Sequence, residues 1–359
     1  MISIVSVMHG ESEFIPLILN NFNNFTNKDN LELIIIDDGK EDLSEHFTDE
    51  NIQYIHLSED DINQFLDMIE SKSELEQKHL FLFYKKRKVL PNGFKRDYAC
   101  GLSSHDFIFH MNIDCIYNPK TIQKRFDVLQ KTNSDCIYSD TTLCYDIYNQ
   151  SLYKSTSEYK IYESTVLHKR EFWKRRGFNW SSAINEAAGF YYNNGPTHKQ
   201  TNYYDIIQLL TIHNINKYKP ISITLENHKI EIPEVVKEIK INDHPFVKYI
   251  SELYSDTVNI LGLNSQYLED NSEDNWEINN MKDWKQTKLA KQVKALDKEF
   301  NVLLFGSKHP AWDLFKHVNF DIIFLETNKN YEQMISIIDK TQKYVFMNGI
   351  FILKEFLEN

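Results

Sequence analysis

The sequence predicts an α/β fold with a mostly parallel sheet in its N-terminal domain and a smaller α/β domain at its C-terminus. Short apolar, β-branched runs occupy residues 2–8, 31–36 and 52–57, which is typical of buried strands. Helical spacing of apolar residues separates these runs, first over residues 14–22 and then over 41–47. A strand–helix–strand order of this kind predicts parallel strands joined by right-handed crossovers.

Length and pattern also predict the domain organisation. The chain has 359 residues and a 42% hydrophobic fraction, enough for two domains with sizeable cores. The pattern loosens around residues 226–245, where charges and two prolines occur. We place the boundary there, which predicts domains at residues 1–235 and 236–359.

The C-terminal domain has its own alternation of elements. Strands are predicted at residues 302–305, 321–325 and 344–352, and helices at residues 249–263 and 281–300. Three roles stay open for this domain: acceptor binding, homodimer formation or a second activity. Its aromatic residues suit a dimer interface, although a packed core explains them equally well.

Charge and cysteine usage exclude several classes of function. The net charge of −12 argues against broad nucleic-acid binding, so no nucleic-acid partner is expected. The four cysteines form no CxxC pair, which favours buried thiols in a reducing compartment over disulfides or zinc. No apolar stretch is long enough to span a membrane, and the N-terminal run lacks a signal peptide's basic start. We therefore expect a soluble, intracellular protein of the cytoplasm.

Residues 93–119 are the stretch around which the chain is organised. They predict a helix, a break at residues 103–105, a buried strand at 107–111 and a polar strand end at Asn112-Ile113-Asp114. In open α/β sheets, ligands bind just beyond such carboxyl ends.

A second strand end, at Asp37 and Asp38, also carries carboxylates. If the strands are parallel, these acids and Asp114 open on the same edge of the sheet. One carboxylate could accept hydrogen bonds from a base or ribose, and another could hold a hard cation such as Mg²⁺ or Mn²⁺. A plain Asp-Gly turn at residues 38–39 is the alternative, and taken alone it is favoured.

The segments after residue 119 are less distinctive. Two antiparallel strands are predicted near residues 135–148, and helices at residues 171–176, 183–192 and 203–213. The basic run at residues 85–88 is interpreted as a solvated face rather than a phosphate site.

Four segments in register resemble the family-2 glycosyltransferases with the GT-A fold, a Rossmann-like architecture, over roughly residues 2–215. The first strand is similar to the family's opening strand, and residues 34–39 are similar to its V-D-D-G-S motif. Residues 95–97 fall on its K-R-N motif, and residues 111–119 fall on its metal-binding L-D-x-D-D-x-Y-x-P segment. The overall look is closest to glycosyltransferases carried by large DNA viruses, which would make this a viral protein of glycan biosynthesis.

The resemblance implies a mechanism and a set of site residues. The activity would be inverting, metal-dependent transfer of a hexosyl group from a nucleoside-diphosphate sugar, with UDP expected, to a hydroxyl of a glycan, protein or small-molecule acceptor. The implied residues comprise a general base, donor-binding residues and ligands of Mn²⁺ or Mg²⁺: Glu186 for the first, Asp37, Asp38, Lys95, Arg96 and Asn112 for the second, and Asp114 and His213 for the third. An exposed helical glutamate and a structural histidine are the alternatives for Glu186 and His213.

The sequence departs from the family at the metal motif. Asn112 replaces the first acid and Cys115 replaces the acid after the second, so only Asp114 remains. A relative that binds nucleotide sugar or glycan without turnover, or that scaffolds a partner, is therefore the alternative function. A nucleotidyltransferase is a third interpretation, and it would want a glycine-rich first loop where only Gly10 occurs.

Overall fold

The protein is described from a computed structural model, and the described residues are 1–71, 78–147, 150–156, 161–180, 187, 190, 194–199, 205–210, 219–220, 232–239, 250–263, 265, 268, 275–281, 289–305, 314–325, 338, 340–347 and 350–358. The chain divides into two compact units. The first comprises Met1–Ser73 with Lys88–Asn242, and the second comprises Glu74–Arg87 with Asp243–Asn359. Residues 74–87 thus belong to the second unit, although the predicted boundary assigned them to the N-terminal domain.

The first unit contains twelve described strands and six described helices. The strands are β1 Ile2–Met8, β2 Leu31–Asp37, β3 Ile52–His56, β4 Phe107–His110, β5 Cys115–Tyr117, β6 Cys136–Tyr138, β7 Thr141–Asp146, β8 Ser151–Thr156, β9 Leu167–Lys169, β10 Thr197–Lys199, β11 Ile206–Leu210 and β12 Lys219–Pro220. The helices are α1 Ile15–Asn24, α2 Glu59–Ser71, α4 Asn92–Leu102, α5 Thr121–Thr132, α6 Arg170–Arg176 and α7 Glu234–Glu238.

The second unit contains the remaining described elements. They are α3 Lys78–Arg87, β13 Val258–Leu263, β14 Trp276–Met281, α8 Leu289–Lys294, β15 Val302–Phe305, α9 Leu314–His317, β16 Ile322–Leu325, β17 Tyr344–Met347, β18 Ile350–Leu353 and α10 Lys354–Glu358.

Two sheets form the first unit. The larger has seven strands in the order β10-β6-β9-β4-β1-β2-β3, and its β4-β1-β2-β3 half is entirely parallel. Strand β9 runs antiparallel to both β4 and β6. The smaller sheet has the order β12-β8-β7-β11-β5. The architecture is mixed α/β with a mostly parallel main sheet, which confirms the predicted fold class.

Burial explains why these segments are strands. Every residue of β1 is buried, as its unbroken apolar and small-residue pattern predicts. Helix α1 covers one face, where Ile18 and Phe22 join Leu33 and Phe109 in an apolar cluster, and these four side chains are fully buried. This packing fixes where the strands end relative to one another, and so the positions of the polar residues that follow them.

The second unit is built on a six-stranded sheet of order β14-β13-β15-β16-β18-β17. Its first four strands are parallel, while β18 pairs antiparallel with β16 and β17. Successive residues point to opposite faces, so Leu303 lies in one apolar cluster and Val302 and Leu304 in another. The predicted α/β character of the tail is confirmed.

Three predicted helices are wrong in whole or in part. Residues 206–210 form β11, because their apolar run pairs with β5 and β7. Residues 258–263 form β13 between β14 and β15 of the second sheet. In these two cases pairing with other strands overrides the local helical pattern. The helix predicted for residues 281–300 is described only at Leu289–Lys294, and β14 extends to Met281.

The prediction for the cysteines agrees with the structure. All four cysteines are buried and free, as expected of small apolar residues. The solvated face predicted at residues 85–88 is wrong in part: Lys88 is exposed, but the Lys86 ammonium lies 4.8 Å from the Phe356 ring, and Arg87 forms a largely buried pair with Glu252. Among the described residues, no helix is both long and apolar enough to cross a membrane.

The close approach of two loops gives a test of the fold. A Cβ added at Gly39 would lie 2.5 Å from both the Cα and the backbone nitrogen of Gly10. Because backbone cannot yield cheaply, we expect Gly39→Ala to lower the free energy of unfolding by about 1–3 kcal/mol in urea denaturation. Gly101→Ala is the control, since a Cβ there meets nothing nearer than 3.9 Å, and an equal loss in both variants would contradict the prediction.

Candidate functional site

The candidate site lies at the carboxyl edge of the parallel strands. Strand β1 pairs in parallel with both β2 and β4, with Met8 opposite Asp37 and Val5 opposite His110. Asp38 follows β2, and residues 112–114 connect β4 to β5 of the smaller sheet. The two acidic strand ends predicted from the sequence therefore open on the same edge.

Asp37 fixes the loops of this edge. Its buried carboxylate accepts hydrogen bonds from the backbone N–H groups of Gly10 and Gly39, each at 2.8 Å, and from the Tyr54 hydroxyl at 2.7 Å. Burial, together with the Asp37 carboxylate, raises the pKa of Tyr54 well above its usual range. Three protein donors thus hold the Asp37 side chain, and a contact between it and a nucleotide stays a prediction.

Asp38 forms a buried ion pair with Lys95. The Lys95 ammonium donates to Asp38 Oδ1 at 2.7 Å and to the Met8 carbonyl at 2.9 Å, and His9 Nδ1 lies 3.0 Å from the same carboxylate oxygen. Burial by itself would raise the pKa of the Asp38 carboxyl, but Lys95 and His9 together hold it well below its usual range. The Leu90 N–H donates to the other oxygen. This pair joins the ends of β1 and β2 to α4, and nucleotide binding by either member stays a prediction.

Arg96 and Asn112 form the next contact along the edge. The Arg96 guanidinium donates to Asn112 Oδ1 at 2.8 Å, and the Asn112 backbone N–H donates to the Tyr117 hydroxyl at 2.8 Å. Asn112 Oδ1, at the first position of the segment that resembles a metal-binding motif, is therefore turned toward a cationic side chain. Arg96 is itself buried, which places a positive charge in low-dielectric surroundings beside the edge.

Asp114 differs from the other acids of the edge. It is half-buried, and the donors to its carboxylate are the Gln208 amide at 3.3 Å and the Cys115 thiol at 3.6 Å. Burial raises the pKa of Asp114, and the negative charge of Glu11 raises it further. A carboxylate that is weakly hydrogen-bonded and repelled by another acid is a good ligand for a cation.

Glu11 is a candidate site residue that the sequence interpretation missed. It follows β1, the strand between the two whose ends carry the predicted acids, and it lies close enough to Asp114 to act on its charge. The available signal was its position: a carboxylate after β1 must reach the same edge as those after β2 and β4.

Asp97, the third residue of the K-R-N-like motif, organises a different segment. Its carboxylate accepts hydrogen bonds from the indole N–H groups of Trp173 at 2.6 Å and Trp180 at 2.7 Å, and from the Phe178 backbone N–H at 2.9 Å. This anchors the chain just before residues 181–186. Glu186 and His213, predicted as base and metal ligand, lie outside the described residues.

Comparisons with known proteins give structural neighbours only. No protein-family profile matches the chain, and no curated protein matches its sequence. TarS 1–349 of S. aureus, solved with UDP-GlcNAc, is similar at 14% identity and a TM-score of 0.41, covering 58% of each chain. The same protein with UDP gives 12% identity and a TM-score of 0.41 over 60% of this chain and 62% of that one.

A third neighbour is the mannosyltransferase PcManGT of Pyrobaculum calidifontis, solved with GDP-Man and Mn²⁺. It is 11% identical with a TM-score of 0.35, over 59% of this chain and 56% of that one. The chain thus spans less than two thirds of each of these solved structures.

The buried ion pair gives a test of the site's architecture. Lys95→Met leaves the buried Asp38 carboxylate without its ammonium partner, so we expect the free energy of unfolding to fall by about 3–5 kcal/mol in urea denaturation. Because the pKa of Asp38 is depressed, the stability it contributes is present above the ordinary carboxyl pKa of 3.8 and is lost as the pH falls below it. In the Lys95→Met variant this loss on acidification should be smaller.

Two further variants control this measurement. Asp38→Asn combined with Lys95→Met should recover much of the loss, since no charge remains buried alone. Lys88→Met removes an exposed ammonium paired with Glu59 and should change the free energy by less than about 1 kcal/mol. A Lys95→Met effect no larger than that of Lys88→Met would contradict the structural role of the pair.

Proposed function

We propose that the first unit is a metal-dependent, inverting glycosyltransferase that takes a nucleoside-diphosphate sugar, with UDP as the expected nucleotide. The observation that carries the proposal is the position of Asp114 between β4 and β5, at the carboxyl edge of the parallel strands, where Arg96 donates to Asn112. Ligands of open α/β sheets bind at this edge, and a diphosphate requires cationic partners there. The motif resemblance described above supports the same activity.

The donor set fits a hard divalent cation. Asp114 and Glu11 offer carboxylate oxygens, which Mg²⁺ and Mn²⁺ prefer, and a bound cation would offset the burial and the charge of Glu11, which raise the pKa of Asp114. Glu11 would thus supply the carboxylate that is missing because residue 112 is an asparagine. His213 is a further proposed ligand. When bound, the cation would neutralise charge on the diphosphate of the donor.

Four residues of the chain have a role in the proposed displacement. The acceptor oxygen attacks the anomeric carbon while the bond from that carbon to the diphosphate oxygen breaks, and the nucleoside diphosphate leaves with the electron pair. Arg96 stabilises the negative charge that develops on the leaving group. Glu186 accepts the proton of the acceptor hydroxyl. The Asp38–Lys95 pair holds α4, and with it Arg96, against the strand ends.

A relative that binds nucleotide sugar without turnover is the second candidate. It is favoured by Asn112, whose oxygen is taken by Arg96 and carries no charge for a cation. The two candidates differ in one measurable product, free nucleoside diphosphate.

The test is release of nucleoside diphosphate from a panel of UDP- and GDP-sugars in the presence of Mn²⁺ and a broad set of glycan acceptors. We expect turnover by the wild type and a fall in kcat/KM of at least about 100-fold in Asp114→Asn, since a ligand is lost with little change in volume. Asp127→Asn, an exposed acid on α5, is the matched control and should keep full activity. Nucleotide binding without turnover would favour the second candidate, and neither binding nor turnover would remove both.

Glu11 gives an independent prediction about the cation. Glu11→Gln keeps the shape of the side chain and removes one charge, so the Mn²⁺ concentration for half-maximal turnover should rise about tenfold. Glu45→Gln, an exposed acid after β2, should leave it unchanged. An unchanged Mn²⁺ requirement in Glu11→Gln would show that Glu11 does not contribute to the cation site.

A further inference from the structure

A buried cluster of one thiol and two imidazoles lies apart from the acids of the proposed site. Cys100 of α4, His110 of β4 and His168 of β9 each offer one ligand atom, and these three atoms lie within 4.8 Å of one another. His110 is 1% exposed and the other two are fully buried. We call these three residues the Cys–His cluster.

Sheet pairing brings the two histidines together. Strands β4 and β9 are antiparallel with Ile108 opposite His168, and His110 is two residues beyond Ile108. Residues two apart on a strand face the same side, so both imidazoles lie on one face of the sheet. Their Nε2 atoms are 3.0 Å apart.

Hydrogen bonding fixes the state of one ring and leaves the other incomplete. His168 Nδ1 lies 2.9 Å from the Lys169 carbonyl, which only accepts, so this nitrogen carries the proton and Nε2 is the acceptor of the 3.0 Å hydrogen bond from His110 Nε2. A backbone carbonyl behind a ligating imidazole is a common outer partner at metal sites. His110 Nδ1 has no hydrogen-bond partner among the described residues. Contacts within the described residues therefore satisfy one nitrogen of the buried His110 and not the other.

The surroundings of the cluster are apolar and carry charges of both signs. Phe178 stacks on Phe190 at 4.2 Å between ring centroids, and these rings contact His110 and His168 edge-on at 5.0 Å. The Asp97 carboxylate of α4 acts most strongly on Cys100, ahead of the guanidinium groups of Arg96 and Arg170, and Arg96 also acts on His110.

We propose that the Cys–His cluster binds one Cu(I) ion in a trigonal site with one thiolate and two imidazole ligands. Donors bound to one ion at about 2.0–2.3 Å lie about 3.3–4.0 Å from one another, so the cluster needs only small shifts. Thiolate and imidazole ligands suit Cu(I) and Zn²⁺. Burial selects the monovalent ion, because Cu(I) with one thiolate is neutral, while Zn²⁺ with one thiolate would leave a buried positive charge that Asp97 alone cannot offset beside two arginines.

Binding exchanges the thiol proton for the ion. The S–H bond of Cys100 breaks, an S–Cu bond forms, the proton passes to solvent, and copper stays in the monovalent state throughout. Because the site is fully buried, the ion enters before the first unit closes around it. Once bound, it would link α4 to two strands of the main sheet.

The test measures metal content and is independent of turnover, so it can fail without affecting the proposed function. The full chain is expressed in medium containing both copper and zinc, purified without oxygen or chelators, and assayed by inductively coupled plasma mass spectrometry. We expect about one copper per chain in the wild type, less than about 0.1 in Cys100→Ala, and about one in Cys144→Ala, a control that removes another fully buried thiol.

Two further measurements protect the test from misfolding. Cys100→Ser keeps the side-chain volume and should also lose copper, while circular dichroism checks that it folds. X-ray absorption of the copper-loaded wild type should show one sulfur and two nitrogen ligands. The loaded wild type should also melt at least about 5 °C above its metal-free form. Copper below about 0.1 per chain in the wild type, copper retained in both Cys100 variants, or zinc bound in its place would overturn the proposal.

Discussion

The buried ion pair between Asp38 and Lys95 is the interaction on which the proposed site depends. An unpaired charge in such a position would cost several kcal/mol, so the fold places three donors around the Asp38 carboxylate: the Lys95 ammonium, His9 Nδ1 and the Leu90 backbone N–H. The Lys95 ammonium also donates to the Met8 carbonyl. The ends of two neighbouring strands and the first turn of α4 are thereby held at one point. The positions of the side chains that follow these strand ends therefore depend on the Asp38–Lys95 pair.

Four side chains of helix α4 make contacts with four different parts of the first unit. Successive residues of a helix are rotated by about 100°, so Lys95, Arg96 and Asp97 point in different directions from one turn. Lys95 pairs with Asp38, Arg96 contacts Asn112, and Asp97 accepts hydrogen bonds from Trp173 within α6 and Trp180 after it. Cys100, one turn later, reaches the two histidines. A single helix thus connects the strand ends, the polar turn after β4 and the segment before the proposed base.

The charges of the edge suit the proposed diphosphate and cation. The acids nearest the strand ends are engaged within the protein, because Asp37 accepts three hydrogen bonds and Asp38 pairs with Lys95. Burial and the negative charge of Glu11 instead raise the pKa of Asp114, and the Arg96 guanidinium donates to Asn112 in the same loop as Asp114. A site in which acids repel before binding is stabilised when a cation arrives, and a cation with two carboxylates can still bind phosphate oxygens.

The sequence by itself determined the elements whose pattern is locally unambiguous and the edge at which they end. Apolar runs with no competing helical period became β1, β2 and β4, and since parallel strands end on one side, the grouping of Asp38 with Asp114 at one edge followed from order alone. The burial of the cysteines followed from their apolar neighbours.

Only the tertiary structure decided which partners each residue found. Residues 206–210 fit a helix or a strand equally well, and pairing with β5 and β7 made them a strand. That Asp38 turns inward to Lys95, that Glu11 acts on Asp114, and that His110 meets His168 all depend on residues far apart in the chain. Such partnerships are set by packing, because the free energy of a buried charge or imidazole depends on what surrounds it and not on its neighbours in sequence.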